Sequence, residues 1–256
     1  MQEYKLNRCE WKRAAVLDKF LDSTDCHTLL DCPVLTAARE SLAQEARASL
    51  ENFSEEELSE EKSVSHPRRK EEKLAGKLLI KYLLCLQKSS KKFSPSHFQV
   101  LADSHPPILK PGPGSGAQKV SDLLNGLHAS ITHSGDRVFG VLGKSALGID
   151  FEVQRDLKEG TIRYFSCKEE RDWLDLALQD SSHPTFADRS FFGLILFTQK
   201  EAVLKAVGSG IAGGPSEVKL PGIRIGVEFE AIYKERKFQV ITLASARGIL
   251  SLAVEI

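Results

Sequence analysis

The chain has no excess of charge of either sign: 35 Lys and Arg stand against 35 Asp and Glu in 256 residues. That balance argues neither for nor against nucleic acid, and it leaves any anion site as a local patch. The sequence also lacks any run near the roughly 20 apolar residues that a membrane-spanning helix needs. Met1 to Glu10 is polar and charged, without a secretory apolar core, so a cytoplasmic protein with no membrane partner is expected. Cysteine is sparse and scattered (Cys9, Cys26, Cys32, Cys85 and Cys167), with no C-x-x-C pair to build a zinc site. Free thiols in a reducing compartment are the expectation. The Gly-Pro run Lys110 to Gly116 has no G-x-x-x-x-G-K-[ST] pattern, which excludes a P-loop, and it reads as a mobile surface loop.

What is present is an ordinary globular composition, 41% hydrophobic and 27% charged, long enough for one large domain or two of usual size. Trp11, Ala14, Ala15, Leu17 and Leu21, then Ala37 to Leu50, recur at mixed three- and four-residue spacing and predict helix in parts, without chemistry. Ser54 followed by Glu57 predicts a capping box at the start of an acidic helix. Pro67 opens a long helix with one apolar face through Leu74, Leu78, Ile80, Leu83, Leu84 and Leu86. On that helix Arg69, Lys73 and Lys77 fall four apart and form a basic stripe, either a solvated face or an anion site. Residues 87–120 read as loop-rich.

Beyond them the pattern turns strand-like. Leu127 to Thr132 alternates, His133-Ser134-Gly135-Asp136 reads as a turn, and Val138 to Leu142 and Leu147 to Val153 are strands with a break at Gly143-Lys144-Ser145. Phe165 to Leu178 predicts a helix with Ser166 as N-cap and Glu169 three residues on. Phe186 to Val207 predicts a longer apolar helix, stopped by the Gly-rich Gly208 to Pro215. Gly222 to Glu230, Phe238 to Ala244 and Leu250 to Val254 read as antiparallel strands. Helix then strands, twice over, suggests two α+β halves with a boundary near residues 143–147.

The chemistry concentrates in the second half. Asp150 and Glu152 are two apart on a strand and so share a face. Side by side, two carboxylates repel and favour a cation between them. Glu201 and Lys205, four apart on a helix, share one helix face. Three carboxylates suffice for a hard divalent ion that keeps open positions for water and a substrate phosphate.

Four segments, His133-Ser134-Gly135-Asp136, Gly148-Ile149-Asp150-Phe151-Glu152, Phe165-Ser166-Cys167-Lys168-Glu169-Glu170 and Lys200-Glu201-Ala202, stand in the order and spacing of the Sfp-type 4′-phosphopantetheinyl transferases, which this chain resembles. The stretch His66 to Ala75 is similar to that family's first basic helix, and the resemblance runs from about Phe53 to Gly210, leaving residues 1–50 unmatched. It implies an α+β fold of two similar α/β subdomains, 1–145 and 146–256, related by a pseudo-two-fold, with the active site in the cleft between them. It further implies a cytoplasmic monomer that transfers the phosphopantetheine arm of coenzyme A to a serine of an acyl, aryl or peptidyl carrier protein and releases 3′,5′-ADP, with no nucleic-acid partner.

Carried over by position, Asp150, Glu152 and Glu201 would hold Mg²⁺, with Mn²⁺ as the other candidate. Glu201, or a metal-bound water it polarises, would be the base and Lys205 the pyrophosphate contact; Lys200 would touch phosphate or hold its helix. Thr132 and His133 would touch the coenzyme A nucleotide, and Arg68, Arg69 and Lys73 its 3′-phosphate. Three departures stand out: Phe197 replaces a tryptophan, Thr132 a serine, and Lys110-Pro111 stands where the family has Gly-Lys-Pro. A second reading is a catalytically weak family member that binds coenzyme A or a carrier protein without turnover. A third, an unrelated metal-dependent phosphate enzyme, would release a different product.

Overall fold

The computed structural model describes residues 17–18, 27–87, 93–103, 106–113, 115–179 and 187–256. The expected helical positions Trp11, Ala14, Ala15 and Leu21, the cysteines Cys9 and Cys26, and Phe186 lie outside them.

Two four-stranded antiparallel sheets dominate. The first contains β1 (His27–Leu29), β2 (Cys32–Ala38), β5 (His128–Ser134) and β6 (Arg137–Gly143) in the order β1-β2-β6-β5. The second contains β7 (Leu147–Val153), β8 (Glu228–Tyr233), β9 (Arg236–Ser245) and β10 (Gly248–Glu255) in the order β7-β10-β9-β8. A separate hairpin joins β3 (Phe98–Leu101) to β4 (Ile108–Pro111). The helices are α1 (Arg39–Ala48), α2 (Glu55–Lys62), α3 (Pro67–Leu86), α4 (Ala117–Leu124), α5 (Glu159–Phe165), α6 (Lys168–Gln179) and α7 (Arg189–Val207).

Period-two alternation explains the layering. In β6, Val138 and Leu142 join the core beneath α3, whereas Phe139 and Val141 face the second sheet. In β10, Ile249 and Ala253 pack with α7, whereas Leu250 and Leu252 turn toward the first sheet. These inner strands are therefore apolar on both faces, as strands covered on two sides must be. The result is helix α3, sheet, sheet, helix α7, with a shared inter-sheet core built on Val34, Phe139, Phe151 and Leu252. The expected α+β class is what the chain adopts.

Most sequence signals land on their elements. The capping box is formed in full, with Ser54 accepting from the Glu57 N–H and Glu57 accepting from the Ser54 N–H. Pro67 sits in the first turn of α3, and Gly208 ends α7 in the left-handed region at φ 83°. The described cysteines Cys32, Cys85 and Cys167 are free thiols.

Other expectations need correction. Residues 87–120 hold β3, β4 and α4 rather than loop alone. Lys110 and Pro111 belong to β4, and Gly112 is pinned: its N–H donates to the His97 carbonyl at 2.8 Å, and a Cβ there would lie 2.2 Å from the Ser96 carbonyl oxygen. The start of this run is thus a packed crossing, not a mobile loop. The segment from Phe165 is two helices, not one. Ser166 turns its hydroxyl back onto the Ile162 carbonyl at 2.6 Å, and the backbone N–H of Cys167 donates to Glu170 at 2.8 Å. The cap therefore falls one residue later than Ser166. Strands β1 and β2 carried no recognised signal, because Pro33 and the following helix-forming residues mask a short alternation.

Candidate functional site

The site is assembled where α7 lies across β7. The inter-sheet core takes Leu147, Ile149 and Phe151, so the alternate residues Gly148 and Asp150 face the helix. Gly148 makes the contact close: a Cβ there would sit 2.1 Å from the Ala202 carbonyl oxygen and 2.8 Å from Lys205 Cβ. Any larger side chain would lift α7 off the strand and separate Glu201 and Lys205 from Asp150. A glycine ahead of the carboxylate strand is thus a packing requirement.

Lys205 Nζ donates to Asp150 Oδ1 at 2.7 Å and to the Ile149 carbonyl at 3.1 Å. Thr132 donates its hydroxyl to the same Asp150 Oδ1 at 3.2 Å. Asp150 Oδ2 and Glu201 Oε1 are both buried and have no hydrogen-bond partner. Burial, then the negative charge of Asp150, pushes the Glu201 carboxyl up to about 7, against the opposing pull of Lys205. Glu152 accepts from Ser134 at 3.1 Å and from Arg155 at 3.4 Å. Burial first and Asp150 second hold its carboxyl above the usual range. Asp150 thus acts on both neighbouring carboxyls, a pattern that marks the cluster as a candidate functional site.

The expected metal trio is only partly gathered. Among the described residues no group of three or more His, Cys, Asp or Glu side chains is arranged to hold a metal ion. Asp150 Oδ1 is taken up by Lys205 and Thr132, and Glu152 is turned to Ser134 and Arg155. The unpartnered oxygens on Asp150 and Glu201 are hard donors of the type Mg²⁺ prefers, so the donor chemistry fits that ion although a closed cage is not formed.

Beside this cluster lies a cleft of about 740 Å³. Arg69, Lys73, His133 and Lys205 all line it, so four of the residues singled out as coenzyme-binding meet in one place. Arg69 and Lys73 come from α3, His133 from β5 and Lys205 from α7, which makes the cleft a joint product of both sheets' helices. Lys73 is tied to Asp103, another cleft residue. Arg68 donates to Glu72 at 2.9 Å and to the Gly135 carbonyl at 3.2 Å, which locks the turn after β5. Desolvation chiefly lowers the His133 imidazole, with Glu72 pulling the other way and Lys205 and Arg68 reinforcing the fall.

Three placements show what the sequence left open. Lys200 is fully buried, its Nζ held by Glu170 at 2.7 Å and the Phe165 carbonyl at 2.9 Å, which fastens α7 to the turn between α5 and α6, the second of the two roles named for it. Lys77, the third member of the basic stripe, is also fully buried and pairs with Glu60 at 2.6 Å, so the stripe splits into two cleft residues and one internal ion pair. Thr132 is 4% exposed and donates its hydroxyl to Asp150. Phe197, in the tryptophan position, stacks edge-on against Phe165 with centroids 5.3 Å apart and keeps an aromatic contact there.

Sequence reasoning missed Glu72, a buried hub that lines the cleft and faces Arg39, Arg68 and His133. Its one local signal is the i, i+4 spacing from Arg68. It also missed Ser130 and Ser134, although their alternation with Thr132 on one strand face was visible.

Fold and site together define an α+β protein with a carboxylate and lysine cluster beside a basic cleft. Residues 146–246 match the family model of the 4′-phosphopantetheinyl transferase superfamily. The match begins at β7 and reaches past β9, and it contains Asp150, Glu152, Glu201 and Lys205. It supports a transferase that moves phosphopantetheine, with coenzyme A as substrate and a carrier protein as partner. No curated protein matches the chain. Among the described residues no helix is long and apolar enough to cross a membrane.

Proposed function

We propose that this chain is an Sfp-type 4′-phosphopantetheinyl transferase that moves the phosphopantetheine arm of coenzyme A onto a serine of an apo carrier protein and releases 3′,5′-ADP. In this reading residues 1–145 and 146–256 are the two subdomains of a pseudo-two-fold enzyme, acting as a cytoplasmic monomer. The observation that carries it is the convergence of Arg69, Lys73, His133 and Lys205 on one cleft beside the buried Asp150 and Glu201.

Each residue has a task that its surroundings suit. Arg69 and Lys73 attract the 3′-phosphate dianion, and His133 offers a ring nitrogen to the nucleotide end. Lys205 borders both the cleft and Asp150, which suits its ammonium to the charge that grows on the 5′-phosphate of 3′,5′-ADP as the P–O–P bond of coenzyme A breaks and the other phosphate passes to the serine. Glu201, with its buried Oε1 unpartnered, is the candidate to take the proton of the carrier serine, directly or through a metal-bound water it would polarise. Asp150, Glu201 and, after reorientation, Glu152 would hold Mg²⁺ or Mn²⁺, which when bound would neutralise the diphosphate of coenzyme A.

Product analysis tests this reading. Incubation with coenzyme A, Mg²⁺ and apo carrier proteins should release 3′,5′-ADP in step with loss of the apo form. Release of orthophosphate or pyrophosphate instead would sink it. The incomplete carboxylate group favours a second reading, in which the chain binds coenzyme A without turnover. Saturable coenzyme A binding with no product across acyl, aryl and peptidyl carriers would select that one.

A further inference from the structure

Strand β5 ends the first sheet and β7 ends the second, and the two edges face each other. They are not joined by a backbone ladder. Instead the Ile149 N–H donates to Ser130 Oγ at 3.1 Å, the Phe151 N–H to Thr132 Oγ1 at 3.1 Å, and the Val153 N–H to Ser134 Oγ at 3.2 Å. The spacing is two residues on both strands and the offset is constant at 19, so the strands run the same way in register. A hydroxyl accepts and donates at once. Thr132 donates its own O–H to Asp150 Oδ1 at 3.2 Å, and Ser134 donates its own to Glu152 Oε2 at 3.1 Å.

We infer that Ser130, Thr132 and Ser134 form a side-chain ladder that joins the two sheets, and that Thr132 and Ser134 are positioning residues for Asp150 and Glu152. The second half of that statement rests on the transferase reading of the carboxylates. The alternate side chains of the same strand, Ile131 and His133, line the cleft. Ser130 reaches the cleft as well, while Thr132 and Ser134 on the ladder face turn to the carboxylates. The ladder also answers a strict accounting need, because buried backbone N–H groups at a sheet edge are costly when unpaired. Replacing backbone acceptors by side-chain oxygens lets two sheets meet edge to edge while freeing a donor for each carboxylate.

The test uses the full chain with Thr132→Val, which keeps the shape and removes the hydroxyl, and with Thr132→Ser, which returns it. Amide exchange at Phe151 should quicken about three- to tenfold in Thr132→Val, the worth of one hydrogen bond. In the same variant kcat should fall about 10- to 100-fold through misplacement of Asp150, with KM for coenzyme A changing by less than about threefold. Thr132→Ser should recover both readouts. Unchanged exchange at Phe151 would overturn the ladder. A raised KM with unchanged kcat would overturn positioning, since Thr132 would then be a direct coenzyme contact. If Thr132→Val does not fold, Ser134→Ala at the half-buried end gives the same pair of readouts at Val153 and in kcat, with the same outcomes decisive. Absence of transfer by the wild-type chain would overturn the transferase reading and the positioning role with it, and exchange at Phe151 and Val153 would still decide the ladder.

Discussion

Two buried charge clusters in this molecule make opposite use of the same residue types. Beneath α2 and α3, Glu57, Lys77 and Lys81 are all fully buried. There Glu57 accepts from Lys81 at 2.8 Å, from the Ser54 N–H at 2.8 Å and from the Val100 N–H at 2.9 Å, while Lys77 pairs with Glu60 at 2.6 Å. Both Glu57 oxygens are used. Between β7 and α7, Lys205 pairs with Asp150, yet Asp150 Oδ2 and Glu201 Oε1 are left over. The first cluster ties α2, α3 and β3 together; the second keeps binding capacity in hand. Between these two clusters the difference lies in unused carboxylate oxygens rather than in burial or charge.

The comparison breaks most sharply at Glu201. Glu201→Gln should lower turnover by about 10³-fold or more, since it removes the proton acceptor and a hard ligand oxygen together. Circular dichroism should remain that of the wild type; full activity in the variant would remove Glu201 from the chemistry.

Glu57→Ala should act on the other side of the divide. It leaves the Lys81 ammonium and the Val100 N–H uncompensated in the interior, a loss of about 3–5 kcal/mol in urea unfolding. A change well below that would mean the network is replaceable.

Lys205→Ala should cost about 2–4 kcal/mol of transition-state stabilisation, read as kcat/KM, because a single aimed charge is lost. A loss confined to stability would class Lys205 with Lys81.

The smallest effect is a pH slope. Folding raises the Glu201 carboxyl from its ordinary 4.5 to about 7, so the folded chain holds the extra proton between those values. Stability from this group is present below the lower value and is lost as pH rises through the upper one, by on the order of 3 kcal/mol across the window. Metal-free wild type should therefore unfold more easily at pH 8 than at pH 5, and Glu201→Gln should flatten that slope. An equal slope in both proteins would place the titration elsewhere.

How much of this was legible beforehand follows the same division. Local patterns marked Asp150, Glu152, Glu201 and Lys205, because strand and helix periods put side chains on faces without any knowledge of tertiary contacts. The capping box at Ser54 and the stop at Gly208 were readable for the same reason. Partner choice across the fold was not. Lys77 and Lys200 look in sequence like Lys73 and Lys205, and only the packing of α2 on α3 and of α5 and α6 on α7 gives the first pair acidic partners. Likewise nothing in the sequence shows that the edge of β7 lies against Thr132. The short strands β3 and β4 were hidden among proline and glycine, because their stability comes from pairing with each other rather than from propensity.

Intact-mass spectrometry of an apo carrier protein, incubated with this chain and coenzyme A in Mg²⁺ with and without EDTA, tests the central claim most directly. The account predicts a gain of one phosphopantetheine, about 340 Da from the chemistry of coenzyme A, and its loss in EDTA. No mass gain on acyl, aryl or peptidyl carriers, or an equal gain in EDTA, would contradict the assignment of Asp150, Glu201 and Lys205 as a metal-assisted transfer site.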